Sequence, residues 1–158
     1  MMNVFQTTKI FFFGCLIALA GCAGVNPPHY IQGDQPYKRT YYGEYADILD
    51  VVRSTMNEEG WEIVKEVDPT QYERNPLYAE GEEGHILLFT KIKKSQRFVY
   101  STSTHLNVYV NRIFDGVEVD VRYGRVRDFH LWKMRSYKNE RLVKNLLDRI
   151  EQKILLKK

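Results

Sequence analysis

Cysteine is nearly absent. The chain of 158 residues has two, Cys15 and Cys22. Two thiols exclude a disulfide-stapled scaffold and a four-cysteine zinc site. Five prolines and ten glycines are too few for a collagenous or low-complexity chain. The apolar run at residues 10–20 has no charge, but it is far shorter than the about 20 residues that a transmembrane helix requires. The four histidines, His29, His85, His105 and His130, show no HxH or HExxH spacing. Nucleophile elbows of the GxSxG type and Gly-rich phosphate loops are also missing. These absences argue against a zinc protease, an elbow-type serine hydrolase, a P-loop nucleotidase and a dinucleotide enzyme, and they call for no cofactor. The net charge of +3 does not by itself imply a polyanionic partner.

The amino terminus is informative. Lys9 precedes the apolar stretch IFFFGCLIALA at residues 10–20, which has the length of a secretory h-region. Leu19-Ala20-Gly21-Cys22 follows: small residues that fit an extended peptidase groove, then a thiol. This resembles the lipobox of bacterial lipoproteins, Leu-(Ala/Ser)-(Gly/Ala)-Cys, at all four positions. The resemblance implies cleavage between Gly21 and Cys22, a diacylglyceryl thioether on Cys22 and an acyl chain, such as palmitate, on its new amino group. Two or three acyl chains hold a protein at a membrane almost permanently. Ala23 stands where family members retained at the inner membrane tend to carry Asp, so the implied location is the outer membrane, facing the periplasm.

Residues 1–21 are thus expected to be a signal peptide and residues 22–40 a lipidated Cys with a flexible tether. The tether sequence AGVNPPHYIQGDQPYKRT has three prolines and no apolar periodicity. Residues 41–158 are expected to form one α+β domain. Tyr45, Ile48, Leu49, Val52 and Met56 make one stripe of a helix over 42–59, with Gly60 as its stop. A strand follows at 61–67, then a loop over 70–84 and a second strand at 85–93 with a turn near 94–97. Asp115-Gly116 signals a two-residue hairpin turn that pairs Phe114 with Val117, Arg112 with Val119, Val110 with Val121 and Val108 with Tyr123. One face of that hairpin is apolar. The other pairs Ile113 with Glu118, Asn111 with Asp120 and Tyr109 with Arg122, and is read as largely polar. Asp115, Glu118 and Asp120 invite a calcium reading, but their alternation with valines fits outward strand positions better. A helix over 139–156, capped by Asn139 or Ser136, carries Leu142, Val143, Leu146, Leu147, Ile150 and Ile154. The expected architecture is therefore an antiparallel sheet of about four strands, one face covered by an N-terminal and a C-terminal helix. With Glu59-Gly60-Trp61-Glu62-Ile63 closing the first helix, this order is similar to small Gram-negative envelope lipoproteins with BamC-like helix-grip domains. No functional residue carries over from that similarity.

Charge is distributed unevenly. Residues 40–90 hold 12 acidic and 3 basic side chains, and residues 122–158 hold 12 basic and 4 acidic. Arg125, Arg127, Trp132, Lys133 and Arg135 suggest a patch for an anionic surface or partner. Behind a signal peptide, the partners in view are anionic lipid, peptidoglycan or an acidic envelope protein, with no nucleic acid. The rival account neutralises these cations internally against Glu44, Asp47, Asp50 and Glu58 of the first helix. The function expected is that of a membrane-anchored binding or structural component rather than an enzyme. The alternative is a periplasmic carrier whose helix-grip cavity, lined by Trp61, Phe98, Tyr100 and Phe114, encloses a lipid or other apolar ligand. A hydrolase site assembled across the fold is the remaining class.

Overall fold

A computed structural model describes residues 30–32, 37–73, 84–129 and 131–157. Gly21, Cys22 and the rest of the expected signal peptide and lipobox lie outside the described residues. Two strands of thirteen residues, β5 (Ser101–Ile113) and β6 (Gly116–Asp128), form a long antiparallel hairpin. All else is arranged on this spine. One half is flanked by β1 (Tyr37–Tyr41) on β6 and by β3 (His85–Thr90), then β2 (Ile63–Val67), on the β5 side. The other half projects further and is flanked by β4 (Lys93–Gln96) on β5 and β7 (Lys133–Ser136) on β6. The sheet is antiparallel with 7 strands rather than about four. β1, β4 and β7 are the three added, each too short or too polar to show apolar alternation.

Two helices, α1 (Tyr45–Glu58) and α2 (Glu140–Lys157), pack against one sheet face. The carbonyl side of α1 ends at Gly60, whose φ of 71° lets the chain reverse without a Cβ penalty. Asn139 caps α2, its Oδ1 accepting from the Leu142 amide at 3.3 Å. The two apolar stripes meet Leu88, Leu106, Val108, Val110, Val117, Val119, Val121 and Tyr123 in one buried cluster. The Tyr41 hydroxyl donates to the Leu147 carbonyl at 2.9 Å, which ties β1 to α2. All seven strands, both helices and both apolar clusters lie within residues 30–157, so the chain from residue 30 carries the whole described core.

The hairpin register differs from expectation by two residues. Arg112 pairs with Val117, Val110 with Val119, Val108 with Val121 and Leu106 with Tyr123. The turn is Phe114-Asp115, and Phe114 is fully exposed. A shift of two preserves the face of every side chain, so the apolar face survives the error. Gly116 is needed for a different reason: a Cβ there would sit 2.3 Å from the Tyr41 carbonyl oxygen, where the end of β1 crosses close by.

The tether is also shorter than expected. Residues 37–40 are the first part of β1, zipped against residues 118–121. Ile31 is buried, and its amide donates to Asn107 Oδ1 at 2.6 Å. The apolar Ile31 and Tyr37 draw this segment onto the sheet despite its polar composition.

The second sheet face is not solvated. Tyr109, Asn111, Asp120 and Arg122 are all buried there, and Tyr30, Ile31 and Glu73, which follows the 3-10 turn Pro69–Gln71, close over Arg122. Leu87 and Phe89 join Tyr109 in a small apolar cluster on this side.

Candidate functional site

The projecting half of the spine makes a groove. On the helix-facing side, even positions of β5 and odd positions of β6 point the same way. Past Leu106 and Tyr123 the helices stop covering them. Thr102, Thr104, Arg125 and Arg127 are therefore left facing outward instead of into the core. β4 closes one side, and its offset matters. His85 pairs with Asn111 along β3, but Lys93 pairs with Thr104 along β4, a one-residue slip across Lys91-Ile92. The slip moves odd-numbered residues of β4 onto the face that even-numbered residues of β3 occupy, and so places Lys93 in the groove. Trp61, Asn139 and Leu142 close the end nearest the helices.

The result is an open groove of about 380 Å³ into which Lys93, Arg97, Arg125 and Arg127 converge, with Lys94 turned to the other face of the same strand and no carboxylate among the described residues of the wall. Among the described residues none of the four groove cations forms an ion pair with a carboxylate. Their contacts are aromatic and hydroxyl groups. The Lys93 ammonium lies 3.7 Å from the Trp61 ring centre, and Arg127 stands 5.7 Å from that of Tyr100. Arg125 Nε donates to the Tyr123 hydroxyl at 2.7 Å. Arg127 Nε is buried without a hydrogen-bond partner. Aromatic faces orient a cation without neutralising it, so the groove keeps a concentrated positive field.

The internal-neutralisation account holds for a different set of cations. Lys157 pairs with Asp47 at 3.1 Å, Lys153 with Glu58 at 2.5 Å, and Arg149 with Glu59. Asp50 faces Arg53 of its own helix. The acidic first helix is thus matched by α2, not by Arg125 and Arg127.

The expected patch is also divided. Met134 pairs with Arg127, and Ser136 with Arg125, so these β7 residues share the groove side. Lys133 and Arg135 pair with Asp128 and Val126 and project from the opposite face. Lys133 lies 3.7 Å from Asp128. Trp132 sits in the β6–β7 turn, stacked on Phe129 with ring centres 4.2 Å apart. Lys93, Lys94 and Arg97 were missed, because that stretch reads as a strand end and a turn. Of the residues named for an apolar cavity, Trp61 and Tyr100 line the basic groove, while Phe98 and Phe114 are fully exposed.

A second polar assembly occupies the other face. Arg122 Nη1 donates to Glu73 at 2.5 Å and to the Tyr109 hydroxyl at 3.1 Å. It also reaches the Ile31 carbonyl at 3.3 Å and the Tyr30 hydroxyl at 3.4 Å. Nη2 donates to Glu73 Oε2 at 3.3 Å and Asp120 Oδ2 at 3.4 Å. The Tyr30 hydroxyl donates to Glu73. Burial pushes the Asp120 carboxyl up to about 6, against the pull of Arg122 and Lys38. Burial also works to raise Glu73, but hydrogen bonds from Arg122 and Tyr30 prevail and hold it below its ordinary value. This is a clasp that fastens Tyr30-Ile31 and Glu73 to the sheet. Gly124 permits it, since a Cβ there would meet His105 at 2.9 Å and Ile31 at 3.0 Å.

Among the described residues no group of three His, Cys, Asp or Glu side chains is placed to hold a metal ion, and no helix is long and apolar enough to cross a membrane. No protein-family model, curated protein or solved structure matches the chain.

Proposed function

We propose that the chain is a membrane-anchored envelope lipoprotein, held through Cys22, whose α+β domain is a non-enzymatic binding module for an anionic envelope component. The observation that carries the binding role is the groove: four cations converge on it with no carboxylate among the described residues of its wall. Like-charged side chains repel when gathered in a cleft. Such a cluster is sustained where an anion or anionic surface fills it. Phosphate oxygens and carboxylates both suit guanidinium forks, which bind them in bidentate fashion. The anchor rests on the lipobox Leu19-Ala20-Gly21-Cys22 behind an eleven-residue apolar run. It implies the periplasmic face of the outer membrane, where lipid headgroups and peptidoglycan supply such anions.

The test is charge reversal in the groove. Lys93→Glu, Arg125→Glu and Arg127→Glu together should abolish sedimentation of residues 22–158 with isolated peptidoglycan sacculi and weaken it with phosphatidylglycerol vesicles. Melting temperature should change little, since none of the three is ion-paired within the described fold. Wild-type protein that binds neither surface at low salt would overturn the binding role.

A further inference from the structure

Two turns meet at the end of the spine farthest from Phe114-Asp115. Ser101, where β5 begins, pairs with Asp128, where β6 ends. The β4–β5 turn at residues 97–100 and the β6–β7 connection that carries Phe129, Leu131 and Trp132 therefore lie side by side. Each is closed by its own hydrogen bond, from the Arg97 amide to the Tyr100 carbonyl at 2.8 Å and from the Phe129 amide to the Trp132 carbonyl at 3.0 Å. Rings cross-brace them: Tyr100 packs on Phe129 at 5.1 Å, and Phe129 stacks on Trp132.

The apolar side chains on this edge point away from the protein. Phe98 and Leu131 are fully exposed, Val99 is 64% exposed and Trp132 is 54% exposed. Four large apolar groups on two braced turns form a patch of the kind that marks an interaction site. Charged side chains flank it on both sheet faces: Arg97 and Arg127 on one, Arg135 with the Lys133–Asp128 pair on the other. An apolar tip inside a basic collar, with a tryptophan at the boundary, matches the layering of an anionic bilayer surface, where acyl chains lie beneath phosphates.

We infer that this tip inserts into the interface of an anionic phospholipid bilayer, with Phe98, Val99, Leu131 and Trp132 at acyl-chain level and the collar at the phosphates. The contact adds to the proposed lipoprotein reading, on which only its relation to the anchor rests. Ile31 packs over Gly124, four residues along β6 from Asp128, or about 13 Å from the tip. Seven residues lie between Cys22 and Tyr30, eight Cα steps that reach at most about 28 Å. A lipid on Cys22 and the tip can thus enter the same membrane, which would hold the basic groove close to the lipid surface.

Residues 22–158 carrying Cys22→Ser contain the whole described core and lack the acyl chains, so contact with acyl chains then reports on the tip rather than on the groove or the anchor. The reporter is Trp132, because Trp61, the second tryptophan, is 6% exposed. With mixed phosphatidylcholine–phosphatidylglycerol vesicles, emission should shift to the blue, and lipids brominated along the acyl chain should quench it. Both effects should disappear in Trp132→Phe. Phe98→Ser with Leu131→Ser should weaken vesicle binding by about tenfold or more while leaving the melting temperature unchanged, as both side chains lie outside the core. The inference is overturned if vesicles are bound without acyl-chain quenching, if quenching survives the double serine variant, or if sedimentation shows that the patch instead pairs two copies of the chain. The groove fails separately: charge reversal at Lys93 and Arg125, which lie outside the collar, would then leave sacculus binding unchanged.

Discussion

Replacing Asp120 with Asn should stabilise the protein at neutral pH and leave it unchanged in acid. Asp120 is 2% exposed on the clasp face of β6. Its Oδ2 accepts from Arg122 at 3.4 Å, but its Oδ1 has no hydrogen-bond partner. Burial is the main influence on its carboxyl. Arg122 and Lys38 favour the anion, and Glu118 opposes it. The net effect is a rise from 3.8 to about 6. A raised carboxyl keeps its proton in the folded state at a pH where the unfolded chain has released it. Stability therefore falls as pH rises across that window, the reverse of the usual salt-bridged carboxylate. At 1.36 kcal/mol per unit, the penalty reaches about 3 kcal/mol above the window. Asn resembles the protonated acid in shape and charge and avoids that penalty, while Arg122 keeps its two-pronged contact with Glu73. Urea denaturation of both proteins from about pH 4 to pH 8 isolates this group, because Glu73, whose contribution has the opposite sign, is present in each. The stability difference should be near zero at the acid end and grow to between about 1 and 3 kcal/mol in favour of Asn at the neutral end. An Asn variant less stable than wild type at pH 7 would refute the argument. It would mean that Arg122 more than offsets the desolvation of a carboxylate ionised in the usual range.

Arg122→Met leaves Glu73 and Asp120 without their shared cation and should cost about 3–5 kcal/mol, with faster proteolysis near Tyr30 as the local sign of an opened clasp. Val108→Asp places a carboxylate between Leu88 and Val121 and should cost several kcal/mol; Glu118→Ala, which removes only the Lys38 surface pair, should stay within about 0.5 kcal/mol, and denaturation midpoints in the opposite order would invert the assigned faces. Gly116→Ala forces a methyl against the Tyr41 carbonyl and should lower stability by about 1–3 kcal/mol, visible as faster amide exchange in β1. Cys22→Ser should abolish labelling by radioactive palmitate and leave the precursor uncleaved, because a hydroxyl is a far weaker nucleophile than a thiolate; normal processing of this variant would rule out the lipid anchor.

The helices and the apolar hairpin face were legible because each is a local pattern repeated over many residues. Ile48, Leu49, Val52 and Met56 recur at helical spacing, as do Val143, Leu146, Leu147 and Ile150, and all are buried. The valines at 117, 119 and 121 alternate, and alternation tolerates an even register error. The short strands carried no such signal. Lys93–Gln96 and Lys133–Ser136 are polar, and they are strands because the ends of β5 and β6 offer them unpaired backbone groups. Tyr37–Tyr41 joins β6 for the same reason, helped by the burial of Tyr41.

The chain's own order of residues determined the class of the fold, the two amphipathic helices and the side of the hairpin that meets them, because periodicity acts between near neighbours. It also determined the lipobox pattern, which is contiguous. Tertiary structure alone decided what the polar residues do. Arg122 and Asp120 look like surface residues until Tyr30, Ile31 and Glu73, distant in sequence, close over them. Arg125 and Arg135 look like one patch until cross-strand pairing sends them to opposite faces. Lys93 enters the groove only through a one-residue slip between β3 and β4. Charge acts through space, and the partners that neutralise, bury or expose it are set by pairings across the whole chain.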